Sequence, residues 1–390
     1  MTVNRRQLPL LLVLCFLLIA PGCLFQSVTG QDSCRTDDSE KTVPEQKPVS
    51  KIRLLPPGPG NPRNSEGDFI KLANGRILFI YSHFTDNPDD FGQAYLASRF
   101  SDDEGKTWSD EDMVVLPNEG KMNIMSVSLL RLADNLIGLF YLRKNSDTDC
   151  RLFMRTSKDE AATWSKPRLC FRDRVGYFVT NNDRVVKLKG GRLIAPAALH
   201  NTPEQDKFEN NADILCYYSD NNGRTWKNGK SVRSDGSVVL QEPGVVELKD
   251  GKLMMFCRTD GGSQYISFSE DQGFSWSEFR PSGIVSPLSP ASIERIPSTG
   301  DLLMIWNNSC PASGETGKRT PLNAAISKDD GCSWENIKIL EDDPDGWYCY
   351  TSMDFSGNKV LLGYCAGNRR TGNGLETTQI TTFSVGWLYE

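Results

Sequence analysis

The sequence predicts an all-β chain folded as a six-bladed β-propeller with four-stranded antiparallel blades, and two separate repeats predict it. The first is the pattern Ser-x-Asp-x-Gly-x-x-Trp, complete at residues 101–108, 269–276 and 327–334. Altered copies stand at 157–164, where Ala161 replaces the glycine, and at 219–226, where Asn221 replaces the aspartate. The repeat length is that of one four-stranded sheet. The second repeat is a pair of apolar runs joined by a turn dipeptide. It occurs at 68–72 with Asn74-Gly75 and 77–81, and again near Asp134-Asn135, Gly190-Gly191, Asp250-Gly251, Thr299-Gly300 and Gly357-Asn358. Such pairs read as β-hairpins.

Six hairpins and five boxed turns assign each box to the connection between the third and fourth strands of a blade. The sixth blade then needs its outer strand from elsewhere. The run at 51–55 is the simplest source, beside a strand within 378–387, so that both ends of the domain share one sheet and leave no open edge. One domain therefore covers 49–390. Within the box, the aspartate is expected to accept backbone N–H groups of its own loop, the glycine to supply positive φ, and the tryptophan to pack between sheets. An acid that caps its own turn in copy after copy is structural, not catalytic.

The amino terminus stands apart. Arg5 and Arg6 precede an apolar run over 8–20, too short to span a bilayer and suited to a secretory signal within 1–25. The end of this run resembles a bacterial lipobox, which would lipidate Cys23 and tether the protein to a membrane; cleavage further on is the alternative. Residues 26–48 are polar and Pro-containing, a solvated tether. The expectation is an exported protein, secreted or periplasmic. Export makes disulfides feasible among the nine cysteines beyond Cys23, with Cys150 and Cys170 a pairing to consider. No CxxC occurs and the only histidines are His83 and His200, so no metal or organic cofactor is implied. A net charge of −6 argues against a nucleic-acid partner.

Propeller topology sorts the remaining polar residues. The starts of first strands and the ends of second strands share one face, opposite the boxed turns. That face collects Arg63, Glu66, Asp68, Asp89 and Asp90 from blade one, Asn123 and Arg143 from blade two, and Asn181, Asn182, Asp183, Arg184 and His200 from blade three. It continues with Gln241, Glu242 and Arg258, then Asn307, Asn308 and Arg319, then Tyr348 and Tyr350. Arginines, acids and tyrosines converging on one mouth suit an anionic, hydroxylated ligand.

The boxed motif resembles the Asp-box of sialidase-like propellers, and the order of the polar residues resembles that of the exo-sialidases. In that family an acid in blade four precedes an arginine, and an arginine in blade five precedes a tyrosine in blade six. Here Glu242 precedes Arg258 and Arg319 precedes Tyr350. The resemblance implies a retaining exo-α-sialidase acting on sialylated or other anionic glycans. Arg63, Arg258 and Arg319 would clamp the sugar carboxylate, Tyr350 would be the nucleophile, Glu242 its base, and Asp90 the acid and later the base for water, with Asp89 as its rival. Glu66, Asp68, Asn123, Arg143, Asn181, Asp183, His200, Gln241 and Tyr348 would shape the rest of the pocket. Arg63 departs from the family pattern, standing in Asn-Pro-Arg-Asn, and can equally pair with Glu66 or Asp68 as scaffold. Tyr348 and Tyr350 alternate along one strand and could face the same way or pack within the blade. Two other readings stay open: a catalytically silent lectin-like propeller, and a glycosidase for another anionic sugar.

Overall fold

The computed structural model describes residues 49–310 and 317–390. The expected signal, Cys23 and the tether over 26–48 lie outside the described residues. Helix within them is confined to two short 3-10 turns, Ala133–Asn135 and Gly386–Tyr389; everything else regular is strand.

The strands follow one another in antiparallel groups. β1 (Ser50–Leu55) is set aside at first. β2 (Arg63–Lys71), β3 (Ile77–Phe84), β4 (Ala94–Ser101) and β5 (Met113–Leu116) form one group. β6 (Asn123–Arg131), β7 (Ile137–Ser146), β8 (Asp149–Ser157) and β9 (Arg168–Leu169) form the next. In the third, the innermost strand is broken into β10 (Tyr177–Val179) and β11 (Val186–Lys187), beside β12 (Leu193–Asn201), β13 (Asp213–Ser219) and β14 (Lys227–Asn228). Then come β15 (Leu240–Glu247), β16 (Leu253–Thr259), β17 (Ser263–Ser269) and β18 (Arg280–Val285), followed by β19 (Ser292–Arg295), β20 (Leu302–Trp306), β21 (Leu322–Ser327) and β22 (Glu335–Glu341). The last group is β23 (Gly346–Ser356), β24 (Lys359–Asn368), β25 (Thr378–Ser384) and, returning from the start of the chain, β1.

The pairing of β1 with β25, Ile52 opposite Ile380, is the one the sequence calls for. Single parallel bridges, Ala94 to Asn123 and Tyr177 to Cys150, join the first three groups into one thirteen-stranded sheet. No sheet closes on itself among the described residues. Neighbouring groups nevertheless meet: the first strands β2, β6, β15, β19 and β23 touch as β2 with β6, β2 with β23, β15 with β19 and β19 with β23, while the third group meets β15 through its second strand, β12.

The apolar core lies between neighbouring groups, because each sheet buries both faces. Ile77, Phe79 and Tyr81 of β3 pack with Leu361 and Ile380 of the last group, while Ile80 points the other way, toward Val127 and Leu139. This is the period-two alternation of a strand read on two apolar sides. The boxed turns behave as expected. Asp103 accepts from the Thr107 N–H at 2.8 Å, Gly105 has φ 83°, and Trp108 lies 6.0 Å from Phe69, beside Leu361. A Cβ on Gly105 would sit 2.9 Å from Leu361, so the glycine serves close approach as well as backbone conformation. Asp159, Asn221, Asp271 and Asp329 accept the corresponding N–H groups in their own turns.

Two expectations need correction. Cys150 and Cys170 are buried free thiols, not a disulfide, whereas Cys310 and Cys332 are disulfide-bonded. Arg63 and Glu66, which precede the apolar run expected at 68–72, lie inside β2, because that strand begins well before the run. What carries it further is a bulge, which recurs in other first strands and shapes the site.

Candidate active site

Five residues in the first strands or their breaks share one backbone anomaly. Glu66, Ser126, Asp183, Glu242 and Tyr350 all have left-handed φ, between 51° and 59°. Pairing slips at these points in β2, β6, β15 and β23. A bulge of this kind adds a residue, interrupts alternation and re-aims a side chain; a bulky residue held there carries strain of about 1–3 kcal/mol. Small neighbours make the bulges possible. Gly67 and Gly244 each follow within two residues, and a Cβ on either would fall within 2.4 Å of Phe79 or Phe256.

The bulges of β15 and β23 bring Glu242 and Tyr350 together from residues 108 apart in sequence. The Tyr350 hydroxyl donates to Glu242 Oε1 at 3.0 Å. Arg258 donates to Glu242 Oε2 at 2.7 Å, to Gln241 Oε1 at 2.6 Å, and reaches the Tyr350 oxygen at 3.5 Å. Burial and the Glu242 charge push the phenol above its ordinary range, against the pull of Arg319 and Arg258. Arg319 is buried, its Cζ 5.3 Å from the Tyr350 ring and 4.8 Å from the Trp347 ring. Among the described residues it forms no ion pair with a carboxylate, and its Nε has no hydrogen-bond partner. Against the desolvation of burial, the Tyr350 oxygen and the Glu242 carboxylate favour its charge from a distance and raise its pKa, and an arriving anion would supply the direct ion pair it lacks.

A second cluster faces this one. Arg63, only 1% exposed, donates to Glu66 Oε1 at 2.6 Å, to Asp90 Oδ1 at 2.7 Å and to Ser65 Oγ at 2.8 Å. The other Glu66 oxygen accepts from the Ser126 hydroxyl, and burial pushes this carboxyl up. Asp90 is the reverse case. Against the desolvation of its setting, the charges of Arg63 and Lys144 hold it below the usual carboxylate range, with Arg319 adding to the effect. Asn123 fixes the Asp90 loop by donating to the carbonyls of Asp90 and Gly92, both at 2.8 Å. Asn182 ties the clusters together, donating to the carbonyls of Gly67 at 2.9 Å and Tyr350 at 3.0 Å. Asp89, the rival acid, is exposed and makes no ion pair among the described residues.

Other residues assigned to the pocket by sequence are engaged elsewhere. Asp68 accepts the N–H groups of Phe69 and Leu129 at 2.7 Å, stapling β2 to β6. Asp183 accepts the Met353 N–H at 2.9 Å and stands beside Glu294, and burial pushes it up to about 6. Tyr348 is in the core against Tyr364, since the Tyr350 bulge cancels the alternation that would have paired the two tyrosines. Arg143 stacks over Phe153 at 3.7 Å, pointing away; its neighbour Lys144 takes the inward place. His200 bonds the Glu209 carbonyl through Nδ1 at 2.8 Å and stacks on Phe208, with burial lowering its pKa. Asn181 is buried with its Oδ1 unpartnered. The sequence reading gave no part to Ser126, Lys144 or Trp347, and none to Asn182 beyond its face. For Lys144 a signal existed: adjacent residues on a strand face opposite ways, so only one of Arg143 and Lys144 could point inward.

Among the described residues, no group of three or more His, Cys, Asp and Glu side chains could hold a metal. The chemistry within reach is that of paired carboxylates, a phenol and guanidinium groups.

Comparison with known proteins agrees with this architecture. Residues 94–361 match the family model described as a BNR repeat-like domain. A sialidase of Clostridium perfringens is 26% identical over 242 residues, 54% of this chain and 60% of that protein. The chain thus spans less than two thirds of that curated relative. Among solved structures, a protein of unknown function from Dyadobacter fermentans superposes with a TM-score of 0.67 at 19% identity, over 86% of this chain and 99% of that one. The leech intramolecular trans-sialidase, complexed with 2,7-anhydro-Neu5Ac, gives 0.68 at 15% identity, over 88% and 71%. At such identities these likenesses speak for the fold alone. With its family model covering well over half of its length, the chain belongs to the BNR repeat-like domain family, within the sialidase-like superfamily.

Proposed function

We propose that the protein is a retaining glycoside hydrolase that removes terminal sialic acid, or a closely related anionic sugar, from glycoconjugates. The observation that carries this reading is Arg319: a buried guanidinium with no carboxylate in direct contact among the described residues, beside a phenol already hydrogen-bonded to a carboxylate. An inert scaffold would have no use for that arrangement. The sugar's carboxylate supplies the missing ion pair, gripped by Arg319 and Arg258 and, once it displaces Asp90, by Arg63.

The substrate's own negative charge disfavours a carboxylate nucleophile, and a neutral phenol avoids that repulsion. Tyr350 Oη passes its proton to Glu242 as it bonds to the anomeric carbon, and the glycosidic C–O bond breaks. The departing oxygen takes a proton from Asp90. In the second step Asp90 removes a proton from water, which attacks the same carbon from the vacated side. The carbon–Tyr350 bond breaks, and the phenolate recovers its proton from Glu242. Two inversions give net retention. Displacement of Asp90 from Arg63 also removes the charge that holds it ionised, so binding itself favours the acid form the first step needs.

We further read the strand groups as six blades closed into a propeller through the contacts between neighbouring groups. The amino-terminal pattern supports export, with lipidation at Cys23 as the anchored variant. The test of function is hydrolysis of an aryl sialoside followed by NMR. Release of the α-anomer first supports the reading; binding without turnover would favour a lectin, and activity confined to other glycosides would replace the substrate.

A further inference from the structure

Lys144 is almost wholly buried, yet among the described residues it has no carboxylate partner. Its Nζ donates to the backbone carbonyl of Asp90 at 2.7 Å and lies 4.9 Å from the Phe91 ring and 5.3 Å from the Tyr177 ring. Its carbonyl accepts the Met122 N–H at 3.1 Å, and its backbone pairs with Asn123, the other residue that holds the Asp90 loop. A buried ammonium is costly, and an apolar side chain would fill the space between two aromatic rings at less expense. The cost is intelligible if both the bond and the charge are used.

We propose that Lys144 is a positioning residue for the acid–base step: its ammonium pins the loop that presents Asp90 and supplies a fixed positive charge beside that carboxyl. The inference rests on the proposed hydrolase reading and extends it to a residue outside the clamp and the acid–nucleophile set. Asp90, its side chain 54% exposed, is within electrostatic reach of Arg63 and Glu66 of β2, Lys144 of β7, Cys150 of β8, Tyr177 of β10 and Arg319 from the loop before β21. Of the three cations, Arg63 and Arg319 are to be taken up by the substrate carboxylate. Lys144 alone keeps its place through the cycle, so it sets the affinity of Asp90 for the proton when the others are occupied.

The experiment compares two sialosides that share the sugar, a 4-nitrophenyl glycoside that needs little protonation to leave and a lactoside that needs much. Asp90→Asn is expected to lose about tenfold or more in kcat/KM on the lactoside relative to the aryl substrate. Lys144→Met is expected to show the same selective loss, and Lys144→Arg to restore most of it. The limb of the kcat pH profile assigned to Asp90 should move to higher pH in Lys144→Met, because removing a positive charge makes the carboxyl hold its proton more tightly. Lys144→Gln, which keeps a donor for the Asp90 carbonyl but not the charge, covers the case in which the methionine variant does not fold. It should show the pH shift with a smaller selective loss. Equal losses on both substrates with an unmoved limb would overturn the inference and make Lys144 merely structural. If Asp90→Asn itself shows no selectivity, the hydrolase assignment of Asp90 fails, and the Lys144 inference falls with it.

Discussion

The Tyr350 hydroxyl lies 3.0 Å from Glu242 Oε1, and both residues occupy the left-handed position of a bulge in a first strand, with φ of 57° and 51°. The shared backbone device explains how two strand groups aim their side chains at one point. Tyr350→Phe keeps the ring beside Arg319 and deletes the oxygen. We expect kcat to fall by about a hundredfold or more while the free sugar acid still binds, since the clamp is intact. Calorimetry and steady-state kinetics on the same preparation check both halves.

Arg319 is predicted to serve both stability and binding. Arg319→Met fills similar volume but removes a charge that Tyr350 and Glu242 favour in the fold, so the melting temperature should fall, and affinity for the sugar acid should fall by about tenfold or more. Arg319→Lys should recover little of the affinity, because an ammonium cannot present the paired donors of a guanidinium. Differential scanning fluorimetry and titration calorimetry measure the two effects.

Asp183 gives a pH signature in stability. Burial pushes its carboxyl up to about 6, above its unfolded value, so the folded state binds this proton more tightly. The contribution is fully present below the unfolded pKa and is lost as pH rises through about 6. Asp183→Asn retains an acceptor for the Met353 N–H and cannot ionise. The melting temperature of the wild type should therefore fall relative to Asp183→Asn between about pH 4 and pH 8. A difference independent of pH would contradict this account of the buried carboxyl.

The boxed aspartates should matter to stability and not to catalysis. Asp271 accepts from the Ser275 N–H at 2.8 Å and from the hydroxyls of Ser275 and Ser269. Asp271→Ala should cost about 1 kcal/mol, limited by solvent access to the turn, with kcat/KM unchanged. Denaturant unfolding and kinetics separate the two.

The repeat, the strand order and the return of β1 beside β25 were legible because periodicity and turn chemistry are local properties. Arg258, Glu242, Arg319 and Tyr350 were also legible, as residue types placed on one face by topology. What could not be read was the effect of the bulges. Alternation predicts Tyr348 and Tyr350 on a common face, and one inserted residue sends the first into the core. Asp68 and Asp183 looked like pocket acids, but long-range backbone donors from Leu129 and Met353 claim them. Arg143 drew attention as a cation at a strand end, while Lys144, one residue on, held the inward position. Register, more than composition, decides such cases.

The central claim is that Tyr350 becomes covalently attached to the sugar. Incubation with a fluorinated sialosyl fluoride, which forms the first bond quickly and releases it slowly, followed by peptide mass spectrometry, tests it directly. The account predicts one sugar adduct, on the peptide containing Tyr350, absent in Tyr350→Phe and slowed in Glu242→Gln. An adduct on another residue, or steady turnover of a sialoside with no adduct formed at all, would contradict it.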